Sequence, residues 1–180
     1  IVFAPLCKEV LTYRGHHYSD ELFLLREAAG SPQMQRVVLV NGVLISGVTG
    51  HVALRDVPAM ITTQSVLAAI HAVRGHIARC GLGEPRLAVA ALNPHAGEHG
   101  LFGDEEERAI APAIEAARAE GMTVAGPVPA DTVFTRAFRG EFNGVVSMYH
   151  DQANIATKVT TVTSRVVLYV GGPVVLATDR

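Results

Sequence analysis

The chain predicts a layered α/β fold with a mixed sheet, and three observations carry that expectation. Short apolar runs bounded by Gly, Pro and Asn recur along it, as buried strands do. Amphipathic helical patterns lie between several of them, which is the signature of strand–helix layering. Two neighbouring runs are joined by Asn41-Gly42, a dipeptide suited to a tight hairpin, so at least one strand pair is antiparallel.

Taken in order, strands are expected near 1–5, 36–40, 43–49, 86–92, 122–125, 144–149, 165–170 and 174–177. An amphipathic helix is expected over about 19–28. Thr63 is the candidate N-cap of a helix over 64–80, where Val66, Leu67, Ile70, Val73 and Ile77 form one apolar stripe and Gly81 is the stop. Asp104 opens another helix, with Glu105, Glu106 and Glu107 placed to favour its positive end. Pro112 must kink or split that helix before Gly121 ends it.

Composition narrows the function classes. The 180 residues are 49% hydrophobic and carry a net charge of −2, with acids and bases interspersed. That suits one domain over 1–180, and it offers neither a basic stripe for nucleic acid nor an apolar run of membrane-spanning length. Cys7 and Cys80 are isolated, so they read as buried thiols of a cytoplasmic protein. Both ends cut through strand-like sequence, and the chain is expected to be a piece of a longer protein.

Three histidines stand just past apolar runs. His51 follows Val43-Leu-Ile-Ser-Gly-Val-Thr-Gly, His95 follows Leu87-Ala-Val-Ala-Ala-Leu-Asn-Pro, and His150 follows Val145-Val-Ser-Met-Tyr. In an open α/β sheet the ligand crevice lies outside the carboxyl ends of the strands, so the three imidazoles could converge on one metal ion. Each taken singly is more often a hydrogen-bonded structural histidine. His16, His17, His71, His76 and His99 are read that way. The Gly-rich stretch Leu92–Gly103 matches neither the dinucleotide nor the phosphate-loop spacing, and reads as a tight turn between strand and helix. Asp151 lies beside His150, and Lys158 lies two helical turns on. A lysine near a divalent cation is a plausible general base, against the plainer reading of a capping Asp and an exposed Lys. Asp131 is an N-cap candidate or a carboxylate beside a metal.

Four blocks, Val48-Thr-Gly-His-Val-Ala-Leu-Arg-Asp-Val57, Leu92-Asn-Pro-His-Ala-Gly-Glu98, Gly126-Pro-Val-Pro-Ala-Asp-Thr132 and Met148-Tyr-His-Asp-Gln152 continuing to Lys158, resemble the 4-hydroxythreonine-4-phosphate dehydrogenase (PdxA) family in order and spacing. The resemblance implies a two-lobed fold of the isocitrate and isopropylmalate dehydrogenase type and a homodimer with a shared site. It places His51, His95 and His150 on metal-ligand positions, with His150 reaching the partner subunit's site. Lys158 falls on the active-site lysine, and Asp131 and Asp151 on carboxylates beside the metal.

The implied chemistry is oxidation of a secondary alcohol, with NAD or NADP as hydride acceptor and decarboxylation to follow. All-imidazole ligation favours zinc, cobalt or nickel over magnesium. At substrate-contacting positions the chain departs from the family. Glu21 and Leu22 stand where a His-Thr pair is usual, and Val167 and Leu176 stand where an asparagine and an arginine help hold a phosphorylated substrate. The tail Val170-Gly-Gly-Pro-Val-Val-Leu-Ala-Thr178 resembles the branch that oxidises terephthalate cis-dihydrodiol. The preferred expectation is therefore a non-phosphorylated diol or hydroxy acid. The alternatives are the vitamin B6 pathway enzyme itself and an inactive metal-binding or dimerisation module.

Overall fold

In the computed structural model, which describes residues 11–13, 15–18, 20–160, 164–173 and 176–178, a two-stranded ribbon precedes one seven-stranded sheet. The ribbon pairs β1 (Thr12–Tyr13) with β2 (His16–His17). The sheet comprises β3 (Gln35–Val40), β4 (Val43–Gly47), β5 (Leu87–Ala90), β6 (Val124–Val128), β7 (Gly144–Ser147), β8 (Arg165–Val170) and β9 (Leu176–Thr178). Its strand order is β6-β5-β7-β4-β3-β8-β9. The first four strands run parallel, and the β3, β8 and β9 pairings are antiparallel, so the sheet is mixed as expected. The strand expected at 1–5 lies outside the described residues.

The hairpin forms on Asn41-Gly42. Val40 faces Val43, and φ is 47° at Asn41 and 82° at Gly42, as a two-residue turn that matches strand twist requires. Among the described residues there are six α-helices: α1 (Glu21–Ala28), α2 (Val57–Met60), α3 (Thr63–Ile77), α4 (Ala111–Ala119), α5 (Ala130–Phe138) and α6 (His150–Val159). No described helix is long and apolar enough to cross a membrane. The stripe of α3 packs with α4 and one face of the sheet around Ile70, Val73, Ile77, Ile110, Ile114 and Val146. On the opposite face α5 covers β5 and β7 through Val133, Phe134 and Ala137.

Three expectations are corrected. The N-cap of α3 is Thr62, not Thr63, because Ser65 stands three residues after Thr62. The Thr62 hydroxyl accepts the Ser65 amide and the Ser65 hydroxyl accepts the Thr62 amide, a reciprocal box unavailable one residue on. Asp131 is not an N-cap: α5 begins at Ala130 after Pro129, and no side chain caps it. Pro112 does not break its helix. A single π turn over Glu106–Ile110 leads into α4, and this wider turn accommodates the missing donor and the ring of a proline at the second α-helical position.

Candidate active site

The parallel strands β5, β7 and β4 are neighbours, so the residues following them leave the sheet at one edge. His95, His150 and His51 follow those carboxyl ends, and Asp131 follows the end of β6 beside them. Two of the exits are tied together. The Val48 and Thr49 amides donate to the Ser147 and Met148 carbonyls at 2.8 and 3.1 Å, and the Thr49 hydroxyl donates to Met148 at 2.8 Å. Gln152 ties β7 to β5: its Oε1 accepts the Met148 amide at 2.7 Å, and its Nε2 donates to the Ala91 carbonyl at 2.8 Å.

This lacing brings His51 and His150 together, with ring centroids 4.7 Å apart. Each ring is held by a carboxylate at Nδ1. Asp151 Oδ1 lies 2.7 Å from His150, and Asp20 Oδ2 pairs with His51. Asp20 is buried, and its Oδ1 also accepts the Leu22 amide at 2.8 Å as the N-cap of α1. Imidazoles fixed through Nδ1 by carboxylates are the arrangement in which Nε2 serves a metal ion, so this pair fits a divalent cation.

His95 is exposed and set apart from that pair. Its own backbone and those of Ala96, Glu98 and His99 are left-handed, with φ between 45° and 57°, and its ring lies 6.3 Å from that of Phe102. Among the described residues no three His, Cys, Asp or Glu side chains are grouped closely enough to hold one metal ion. The Leu92–Gly103 stretch is thus more than a tight turn. Buried Glu106 accepts the Leu92 and Asn93 amides at 2.8 Å each and the Asn93 side chain at 2.9 Å. A Cβ at Gly97 would come within 2.8 Å of Glu106 Oε2, so that loop position admits only glycine.

A cavity of about 320 Å³ opens beside the histidine pair, lined by Asp20, Leu22, His51 and His150 together with Arg26 and Arg36. The two arginines went unnoticed in the sequence, where each is a lone cation in an otherwise apolar pattern. Burial lowers the pKa of Arg26, and the field of Asp20 opposes that effect. The remaining expected site residues lie elsewhere. Lys158 and Asp131 are exposed, and neither lines the cavity. Val167 and Leu176 are buried in the cluster with Leu25, Met34 and Tyr169, so they face core. Glu21 is half-buried and does not line the cavity. His71 pairs with Glu120 at 2.8 Å, and His76 Nδ1 meets the Ala72 carbonyl at 2.6 Å, the structural roles expected of them.

Together these features define an α/β protein whose polar site sits at the carboxyl edge of its parallel strands. The chain belongs to the family described as pyridoxal phosphate biosynthetic protein PdxA, whose model matches residues 1–179. It is 42% identical over 172 residues to a 4-hydroxythreonine-4-phosphate dehydrogenase of Geobacter metallireducens, covering 96% of this chain and 51% of that protein. It is 44% identical over 158 residues to a D-threonate 4-phosphate dehydrogenase of Salmonella typhimurium, covering 88% and 48%.

Among solved structures, that of a 4-hydroxythreonine-4-phosphate dehydrogenase from Klebsiella pneumoniae superposes with a TM-score of 0.85 at 38% identity, over 97% of this chain and 53% of that one. A terephthalate 1,2-cis-dihydrodiol dehydrogenase from Burkholderia xenovorans gives 0.70 at 30% identity, over 79% and 45%. The chain therefore spans about half the length of the relatives it matches. The more similar relatives bear the names of phosphorylated substrates, which favours the alternative over the non-phosphorylated reading preferred from sequence.

Proposed function

We propose that this chain is part of a metal- and NAD(P)-dependent dehydrogenase that oxidises a secondary alcohol of a phosphorylated four-carbon hydroxy acid. Candidate substrates are 4-hydroxythreonine 4-phosphate and D-threonate 4-phosphate. The observation that carries the reading is the His51–His150 pair, each ring oriented by a carboxylate, beside a cavity in a chain of this family.

His51 and His150 of one chain would hold a divalent cation through Nε2, in place of the expected crossing of His150 to the partner subunit's site, with His95 as the expected third ligand. The imidazole set suits zinc, cobalt or nickel better than magnesium. A cation held there would supply polarisation of the substrate hydroxyl, and a bound NAD(P) would supply the hydride acceptor. The chain's own groups then do the positioning. Asp20 and Asp151 fix the two rings and stabilise any positive charge on them. Thr49 and Gln152 keep the strand exits in register.

Lys158 as general base fits a shared site. It lies seven residues from Asp151 along α6, a rise of roughly 10 Å, which carries it away from its own histidine pair. Ile155 and Val159 beside it are 62% and 78% exposed, an apolar face suited to a second copy. A homodimer working in the cytoplasm belongs to the same proposal, as does a carboxylate role for Asp131.

The test is turnover by the full-length protein with both phosphorylated acids and with a non-phosphorylated cis-dihydrodiol. NAD(P) reduction with either phosphorylated acid supports the reading. Turnover of the dihydrodiol alone replaces it with the second reading, which Val167 and Leu176 and the Burkholderia likeness favour. Metal binding without turnover of any of the three would leave an inactive module.

A further inference from the structure

We propose that Arg36, with Arg26 beside it, forms the subsite for the anionic end of the substrate, its phosphate group. The inference deepens the phosphorylated-substrate reading and rests on it. Both arginines line the cavity that holds His51 and His150. Arg36 sits at the start of β3, next to Val37, which pairs with Ser46. Antiparallel pairing thus brings it to the same edge of the sheet as the carboxyl end of β4 and His51. Its backbone is pinned there, because its carbonyl accepts the Ser46 hydroxyl at 3.4 Å. Its guanidinium has no hydrogen-bond or ion-pair partner among the described residues.

Arg26 is aimed by two contacts: Nε donates to the Met34 carbonyl at 2.7 Å, and the guanidinium lies 5.5 Å from the Phe23 ring centroid. Its terminal nitrogens have no hydrogen-bond partner among the described residues. A third cation lies on the same face, at the other end of β3 and outside the cavity lining. Arg165 pairs with Val40, four residues along β3 from Arg36; its Nε is buried without a partner among the described residues, and burial and the Arg36 charge both lower its pKa. Asp20 is the carboxylate in this cavity, and it is already engaged by His51 and the α1 cap.

Half-buried guanidinium groups that share one carboxylate, itself engaged by His51 and the α1 cap, repel one another, and an anion offering several acceptor oxygens relieves that. A phosphate dianion is such a ligand, and forked N–H donors match its oxygens. This also accounts for the departures at Val167 and Leu176. Those positions are buried in the core, and the cations of the site enter from α1 and β3 instead.

The experiment uses the full-length protein, its Arg36→Gln and Arg36→Lys variants, and two probes, inorganic phosphate and D-threonate, titrated by calorimetry. Inorganic phosphate should bind the wild type and lose about tenfold or more in affinity in Arg36→Gln, with partial recovery in Arg36→Lys. D-threonate, which has the carboxylate but no phosphate, should be much less affected. For a phosphorylated substrate the KM should rise more than kcat falls. Equal phosphate binding by wild type and Arg36→Gln, or none by the wild type, overturns the subsite. So does an equal loss for D-threonate, which would make Arg36 a carboxylate anchor. Arg36-dependent phosphate binding with no turnover of either phosphorylated acid upholds the subsite and sinks the functional reading instead.

Discussion

Glu106 and Asn93 are joined twice. Glu106 Oε1 accepts the Asn93 backbone amide at 2.8 Å, and Oε2 accepts its side-chain amide at 2.9 Å. Glu106 is only 3% exposed and reaches across from the π turn to hold the start of the loop that carries His95, where Glu105 Oε2 also accepts from the Asn93 side chain at 2.7 Å. Glu106→Ala leaves the Leu92 and Asn93 amides without their acceptor. Each such loss costs about 1–3 kcal/mol, so a destabilisation of at least about 2 kcal/mol is expected in urea unfolding. Glu106→Gln keeps one acceptor oxygen and should cost about half as much. Equal, near-zero shifts for both variants would show that water replaces the carboxylate.

Asp20 does two jobs with two oxygens, and substitution separates them. Asp20→Asn retains an oxygen for the Leu22 amide, so the α1 cap survives, while the charge facing His51 is lost. Metal affinity should fall roughly 10- to 100-fold with little change in Tm. Asp20→Ala should add about 1 kcal/mol of destabilisation from the lost cap. Metal titration alongside thermal unfolding distinguishes the two, and an unchanged affinity in Asp20→Asn would remove Asp20 from the site.

The strand-end histidines were legible because apolar runs and their Gly, Pro and Asn borders are local signals. Which two would touch was not. The neighbour relation of β4 and β7 joins residues about a hundred positions apart, and nothing near His51 or His150 records it. Asp20 was equally hidden, since an acid at the start of a helix looks the same whether or not a histidine folds back onto it. Glu106 reads as one of three acids complementing a helix dipole until the π turn rotates it inward. Arg36 left a faint trace as a charge opening an apolar strand, and only the cavity gives that charge a purpose.

At Gly144 the packing leaves no room for a side chain. A Cβ there would lie 2.5 Å from Leu87 Cδ2 and 2.6 Å from Val73 Cγ1, inside the core beneath β7. Gly144→Ala should therefore destabilise by about 1–3 kcal/mol through overpacking. Pairing it with Leu87→Ala should recover part of that loss. Additive destabilisation in the double variant would place the strain elsewhere.

The Arg136–Glu141 pair gives a pH signature at the surface. The hydrogen bond from Arg136 holds the Glu141 carboxyl below its ordinary value, with the Arg136 charge acting the same way. A depressed carboxyl pKa contributes stability above the unfolded-state value, and that contribution is lost as pH falls through the folded one. Both groups are exposed, so the effect is small and screened by salt. In Arg136→Gln the Glu141 resonance should titrate at the ordinary glutamate position by NMR. An unchanged titration would dissolve the pair.

Lys158 tests whether catalysis crosses between subunits. If His51 of one copy works with Lys158 of another, His51→Ala and Lys158→Ala full-length proteins should each be inactive, with Lys158→Ala still binding metal. When mixed and reassembled, half the dimers are heterodimers. Each of those holds one site with both substitutions and one with neither, so activity should return to about a quarter of wild type. Were both residues needed within one chain, no mixed dimer would hold an intact site. The exposed Ile155 and Val159 bear on the same interface: Val159→Asp should weaken assembly and lower activity together. Recovery on mixing requires a shared site, whereas a mixture that stays inactive while light scattering reports dimers would confine Lys158 to its own subunit or to no catalytic role.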